Sequence, residues 1–328
     1  RSCFCPGPLP WAVLVLGVLP LPSPSMCRWR SLSALLMAGT MPLVRGALCP
    51  GAFEMDGHGT VKLVNAEWNV PQTAASSVEL SADNTVAPHL GGRAYFADSC
   101  NEGTYSNEYY MALKLLGKTI KFTVDLSSAG CGCNVAFYLT SLQQNTEVSE
   151  CHDYYCDANS VCGVACAEID VMEANQFAWH STLHASDDKG GVGKGYGGGD
   201  NWNGARDWSG ADYGPQGRCI DTSRPFQVET TFPVDGEGKL TAMTVTLTQD
   251  GQTCPLSVSV DQYKGMDEIS SALAAGMTPI ISYWGSDDML WMDGKGSDGQ
   301  GPCAADNAAA CSKKVKFSDF SLMDIGQE

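Results

Sequence analysis

Hydrophobic and polar residues alternate along much of the chain with a period of two. From Lys118 to Leu126, Ile120, Phe122, Val124 and Leu126 are apolar, while Lys121, Thr123 and Asp125 are polar. Met243, Val245 and Leu247 alternate with Thr. Asp250-Gly251 then turns the chain, and Leu256, Val258 and Val260 alternate back. Successive side chains of a strand point to opposite faces, so these patterns predict half-buried strands, and the second pair a hairpin. Pro279 to Trp284 is a short, nearly continuous apolar run that reads as a buried strand, and Asp56 to Val70 as a strand region ending near Trp68. Val315 to Phe320 is a closing strand. Helical signal is scarce: Glu268 to Ala275, capped by Asp267 and stopped by Gly276, is the clear case. With 36 glycines marking turns, the pattern predicts an all-β domain large enough to bury one sizeable core.

One stretch breaks the pattern. Cys166-Ala-Glu168-Ile-Asp170-Val-Met-Glu173-Ala-Asn175 carries three acids within six residues. Glu168 and Asp170 share a strand face, but Glu173, five residues after Glu168, falls on the opposite one. An extra residue near Val171-Met172, as in a β-bulge, would bring all three to one surface. A retaining glycosidase needs a nucleophilic carboxylate and a protonated carboxylic acid about 5–5.5 Å apart, with pKa values driven apart by environment. A third acid between them can orient the nucleophile. The bland alternative is a solvent-facing row of acids, which leaves the apolar flanks and the odd offset without a reason.

Charge and cysteine usage narrow the setting. Residues 1–46 hold four Arg and no acid; in the remainder 16 basic residues face 37 acidic ones, a net charge of −21. So acidic a domain is a poor partner for nucleic acid, whose phosphates need Lys and Arg, and it suits a neutral polymer. Twelve cysteines follow Gly46, an even number without paired Cys-x-x-Cys knuckles, which favours a disulfide framework in an oxidising compartment over zinc. Cys162-x3-Cys166 has no matching second pair, and His180 with His184, at an i, i+4 spacing, is a metal pair for which no third ligand is evident. The glycine run 190–199 lacks the Lys-Ser/Thr ending of a phosphate loop. Residues 1–25 read as upstream sequence. Residues 26–46, from Met26 through Arg28 and Arg30 into the apolar run around Leu32 to Leu43, read as a signal peptide cleaved after Gly46 or Ala47 rather than as a membrane span, and Trp11 to Leu21 is an alternative apolar run for the same role. Residues 47–328 then form one secreted catalytic domain.

Glu-x-Asp-x-x-Glu-Ala-Asn followed by His184, eleven residues after Glu173, resembles glycoside hydrolase family 7, which contains cellobiohydrolases and endo-β-1,4-glucanases. The resemblance runs from about Val61 to Gly326 with shortened loops, and implies a concanavalin-like jelly roll: two curved antiparallel sheets with a substrate cleft on the concave face. It implies Glu168 as nucleophile, Glu173 as acid/base and Asp170 as the residue orienting Glu168, with His184 tuning the protonation of Glu173. Val61 to Trp68 looks similar to the family's first stacking segment, with Trp68 on a sugar ring and Val70 where cellobiohydrolases carry a second Trp. Gly92-Arg93-Ala94-Tyr95 resembles a strand whose Arg bonds a sugar hydroxyl. Cys131-Gly-Cys-Asn134-x3-Tyr138 resembles a motif whose Asn and Tyr contact the sugar beside the nucleophile. Tyr155-Cys-Asp157-Ala-Asn159 places Asp157 near the nucleophile's carboxylate network, and Arg206, seven residues before Tyr213-Gly-Pro, matches an Arg on the leaving-group side. Trp284 and Trp291 match two stacking Trp residues, two residues closer together than usual. For Trp68, Arg93, Asn134, Tyr138, Asp157, Arg206 and the later Trp pair, core, turn or surface roles remain open on the residues alone.

The resulting expectation is a monomeric, cofactor-free endo-acting β-1,4-glucanase that needs no metal. Exo action, a β-1,3 or mixed-linkage glucanase of the same clan, and a glucan-binding lectin are the alternatives.

Overall fold

The computed structural model describes residues 48–296, 299 and 301–327; both N-terminal segments, 1–25 and 26–46, lie outside them. Two sheets stack face to face. The larger has nine strands in the spatial order Gly51–Met55, Gly59–Asn65, Gly92–Ala97, Thr278–Gly285, Cys133–Thr140, Glu168–Ala174, Trp179–His184, Val192–Tyr196 and Ala205–Arg206. Its pairings are antiparallel except the last. The smaller has seven antiparallel strands in the order Leu256–Val260, Met243–Thr248, Phe226–Thr231, Lys118–Asp125, Lys316–Asp324, Val86–Pro88 and Val78–Leu80. The architecture is a β-sandwich, as expected.

The core forms where apolar alternation from the two sheets meets. Phe122 and Phe317 of the smaller sheet pack at 5.8 Å between ring centroids, and Phe122 reaches Phe137 of the larger at 4.5 Å. Phe320 contacts both Phe53 (5.1 Å) and Phe96 (5.4 Å). Each such ring, fully buried, contributes about 1.5–3 kcal/mol by leaving water, and edge-on and tilted pairs add to that. Phe317 and Phe320 lie three apart on one strand, yet both face inward. A bulge allows it: the register slips between Ser318 and Ser321, and Asp319 takes a φ of 56°.

The remaining sequence expectations hold with small shifts. The hairpin spans Met243–Thr248 and Leu256–Val260. The helix is Met266–Ala275, starting earlier than expected: Gly265 stands at its N-cap, and Asp267 sits inside the first turn, where its carboxylate favours the helix dipole without bonding a free amide. Gly276 ends it with φ 105°.

The twelve cysteines form six disulfides: 49–100, 131–303, 133–311, 151–162, 156–166 and 219–254. Cys162 and Cys166, close in sequence, belong to different bridges.

Candidate active site

The site begins with the irregularity in Glu168–Ala174. Against Trp179–His184, Asp170 pairs with Thr182 and Glu173 with His180, so Val171 and Met172 together oppose Ser181. Against Cys133–Thr140, Asp170 pairs with Tyr138 and Met172 with Phe137, which leaves Val171 as the extra residue. Ile169, Val171, Met172 and Ala174 all enter the core, while Glu168, Asp170 and Glu173 line one cleft of about 630 Å³. Two consecutive apolar side chains inward drive the bulge, and the displaced Val171 carbonyl accepts a hydrogen bond from the Ser181 hydroxyl (2.8 Å), which itself accepts one from the Trp179 indole (2.9 Å). Without Ser181 a buried carbonyl would lose its partner at a cost of about 1–3 kcal/mol.

Each acid has its own surroundings. Glu168 is buried and accepts the Ala158 N–H at 3.0 Å. The Cys156–Cys166 bridge staples that loop beside the acid strand and sets Asp157 there too. Burial raises the Glu168 pKa well above the ordinary value; the charges of Asp170 and Asp157 push the same way, and the Ala158 amide opposes them. Glu173 is partly open to the cleft and accepts Asn134 Nδ2 at 2.8 Å. Burial and the Asp170 charge push its pKa up to about 8, against the pull of Asn134 and His184. Asp170 pairs with His184 Nε2 at 3.1 Å, and His184 Nδ1 lies 3.0 Å from the Asp188 carbonyl. Burial alone would lower the His184 pKa, but the bond to Asp170 and its charge carry it up to about 9. The glycine-rich run lets the chain lie flat on this pair: at Gly191, with φ 57°, a Cβ would stand 2.6 Å from the His184 ring.

Not every expected residue arrives where the sequence placed it. Tyr138, Asp157, His184, Trp284 and Trp291 line the cleft. Tyr138 and Tyr155 join hydroxyls at 3.0 Å. Asp157 stands beside Glu168, and burial raises its pKa. His184 binds Asp170 directly and reaches Glu173 only through its charge. Asn134 is buried and serves Glu173, not the sugar side of Glu168: it stands two residues along its strand from Ala136, the partner of Glu173, and so on the same face. Arg93 borders the cleft but spends its donors inside the protein: Nε on the Tyr95 hydroxyl, one amino group on the Asn69 carbonyl and the other on the Trp68 carbonyl. Its guanidinium lies 3.7 Å from the Tyr155 ring centroid, with Asp153 4.0 Å away. Trp68 turns from the cleft to pack against His152 and a small buried cluster, while Asn69 and Val70 take the lining positions. Arg206 donates to the Gly198 carbonyl and does not line the cleft.

Several lining residues were not singled out from sequence. Tyr155 comes from the disulfide-bound loop and Trp202 from the segment after the glycine run; Trp202 packs 3.7 Å from the His180 ring centroid. An aromatic inside a polar, glycine-rich loop was the available signal for Trp202. His180, fully buried, is held neutral, its pKa lowered by burial to about 3.

No protein-family profile matches the chain. Among curated proteins it is similar to endoglucanase EG-1 of Hypocrea jecorina, with 29% identity over 86% of this chain and 68% of that one. It is also similar to endoglucanase 1 of Pyricularia oryzae, with 27% identity over 66% of each. The chain thus spans about two thirds of these relatives' length. Among solved structures, a double mutant of Humicola insolens endocellulase EGI superposes with a TM-score of 0.62 at 18% identity, covering 86% of this chain and 96% of that one. A GH7 family cellobiohydrolase from Daphnia pulex gives 0.58 at 16% identity, covering 87% and 98%. The resemblance to glycoside hydrolase family 7 is borne out, and the sandwich is the fold these structures share.

Proposed function

We propose that the protein is a retaining endo-β-1,4-glucanase acting on cellulose or related glucans. The observation that carries the reading is the bulge at Val171, which sets Glu168, Asp170 and Glu173 in one cleft while their neighbours fill the core. Glu168, in its ionised form, attacks the anomeric carbon and forms a glycosyl-enzyme ester. Glu173, protonated up to about pH 8, gives its proton to the departing glycosidic oxygen. Its carboxylate then takes a proton from water, whose oxygen attacks the same anomeric carbon, breaks that carbon's bond to the Glu168 oxygen and frees the carboxylate. Asp170, held by His184, orients Glu168 and, with the Ala158 N–H, fixes where its oxygens lie. Trp284 and Trp291 offer aromatic faces to glucosyl rings, a grip that needs no charge and fits a cleft of this size.

The short connection from Asn159 to Glu168 supports an open cleft and internal cleavage. The names of the relatives, endoglucanases at about two thirds coverage, point the same way. Six disulfides support export to an oxidising compartment, and no helix among the described residues is long and apolar enough to cross a membrane. The strongly acidic surface favours a neutral polysaccharide over nucleic acid.

Reducing ends released from carboxymethylcellulose and from laminarin test linkage. Viscosity loss per bond cleaved tests internal attack, and the anomer formed first, read by NMR, tests retention. Release from laminarin alone would transfer the protein to a β-1,3 activity; slow viscosity loss with steady cellobiose release would make it exo-acting.

A further inference from the structure

Trp291 stands on a single helical turn, Leu290–Asp293, between loops. Two carboxyl groups hold that turn. Asp306 Oδ2 accepts the N–H groups of Met289 (2.5 Å) and Leu290 (2.9 Å). Asp293, fully buried at the other end of the turn, accepts Gly132 N–H (3.0 Å) and Asn175 Nδ2 (2.7 Å) on its own Oδ2. Asn175 follows Glu173 by two residues, and Gly132 lies between Cys131 and Cys133, which bridge to Cys303 and Cys311. The turn under Trp291 is therefore tied to the end of the acid strand and to the segment crossed by both bridges.

The second oxygens do not fit two ionised acids. Asp293 Oδ1 and Asp306 Oδ1 are both buried, and neither has an N–H or O–H partner. The two carboxyl groups are nonetheless neighbours, and Asp306 raises the proton affinity of Asp293. Two carboxylates have no proton to donate, and burying both as anions is costly. One proton between them satisfies both orphaned oxygens at once.

We propose that Asp293 and Asp306 share a single proton, and that this proton clamps the turn bearing Trp291, so that the pair are positioning residues for the aromatic wall of the cleft. Among the described residues, Asp306 is the charged group that faces Asp293. Its other neighbours are the amides of Gly132 and Asn175 and the sulfurs of the Cys131–Cys303 bridge. Asp287, from the preceding loop, accepts the Ala308 N–H beyond Asp306 and adds negative charge nearby. Burial and the Asp306 charge raise the Asp293 pKa from 3.8 to about 6. A raised carboxyl pKa favours the folded arrangement fully below the unfolded value and loses that contribution as pH rises through the folded one. The clamp is thus tight near pH 4 and is released through about pH 6. The shift from 3.8 to about 6 limits the change in its closing equilibrium to about a hundredfold.

The inference about grip rests on the glucanase reading; the clamp itself does not. Hydrogen exchange at Met289 and Leu290, expressed as protection relative to the unstructured rate at each pH, is measured on the full chain from pH 4 to 8. Protection is expected to fall about tenfold to a hundredfold across that interval, and KM for a cellooligosaccharide to rise with it while kcat follows Glu173. In D306N the amide can donate to Asp293 Oδ1 and its oxygen can still accept both amides, so protection should stay flat. A flat wild-type profile, or the same fall in D306N, overturns the clamp; should D306N not fold, the wild-type profile alone decides. Absence of glucan hydrolysis would instead sink the glucanase reading and leave the exchange result readable.

Discussion

The two sheets each contain a bulge that lets side chains at an odd offset share a face, and the two serve opposite ends. In Lys316–Asp324, the slip at Asp319 turns both Phe317 and Phe320 into the core, and what it leaves outside is solvent-facing serine and aspartate. In Glu168–Ala174, the slip at Val171 puts Val171 and Met172 inward, and what it leaves on the other face is three carboxyl groups under cover. The first device is satisfied by packing alone. The second places charges where burial and the neighbouring Asp170 charge raise the pKa values of Glu168 and Glu173, a cost that packing does not need. A bulge that stabilises is read from what it sends into the core; a bulge that works is read from what it keeps out of it.

The largest effect expected from breaking this comparison is chemical. Glu168→Gln keeps the shape and removes the attacking oxygen's charge, so hydrolysis should fall about 10⁴-fold or more while glucan binding persists, measured by steady-state release and by calorimetry. Deleting Val171 should do as much through geometry, because a one-residue slip carries Glu173 to the opposite face. Glu173→Gln should lower kcat about 10²- to 10⁴-fold on cellulose, and far less on an aryl cellobioside whose leaving group needs no proton. In the wild type, activity should fall as pH rises through about 8, where Glu173 gives up its proton, and Glu173→Gln should erase that limb.

Deleting Asp319 is the counterpart in the other sheet. It should expel Phe320 and cost about 3–5 kcal/mol of stability by chemical denaturation, while the folded fraction keeps the wild-type pH profile. Stability should also answer to pH through the cleft. His184 is raised from 6.5 to about 9 by Asp170, so its contribution is whole below pH 6.5 and lost as pH rises through about 9; the raised Glu173 pushes in the same direction. Tm should therefore drop between pH 6.5 and 9, and less so in His184→Asn. Smallest of all, Thr246→Ala on the outer hairpin loses the bond to Ser257 (3.0 Å) on an open face and should move stability by no more than about 0.5 kcal/mol, with activity unchanged.

Much of this was legible along the chain because period-two alternation reports which face of a strand is dry. It located Lys118–Asp125, the 243–260 hairpin and the three acids whose offset required a bulge. The same logic fails in Cys133–Thr140, where every residue is buried: when both faces are covered, alternation carries no sign of which side holds the site. Trp68 and Arg93 illustrate the failure. Both sit in segments resembling sugar-binding strands, yet the Arg93 guanidinium turns inward to the Trp68 and Asn69 carbonyls, and the indole follows a different pocket.

The residue order by itself determined the strand-rich class, the cysteine framework as a composition, and the need for an irregularity between Glu168 and Glu173, because these depend on spacing measured along one strand. Only the tertiary structure decided the six pairings, the partnership of Asp170 with His184, the arrival of Trp202 in the cleft and the meeting of Asp293 with Asp306. Those depend on distances between separate segments of the chain, which packing of the sheets and their loops sets and local periodicity does not encode.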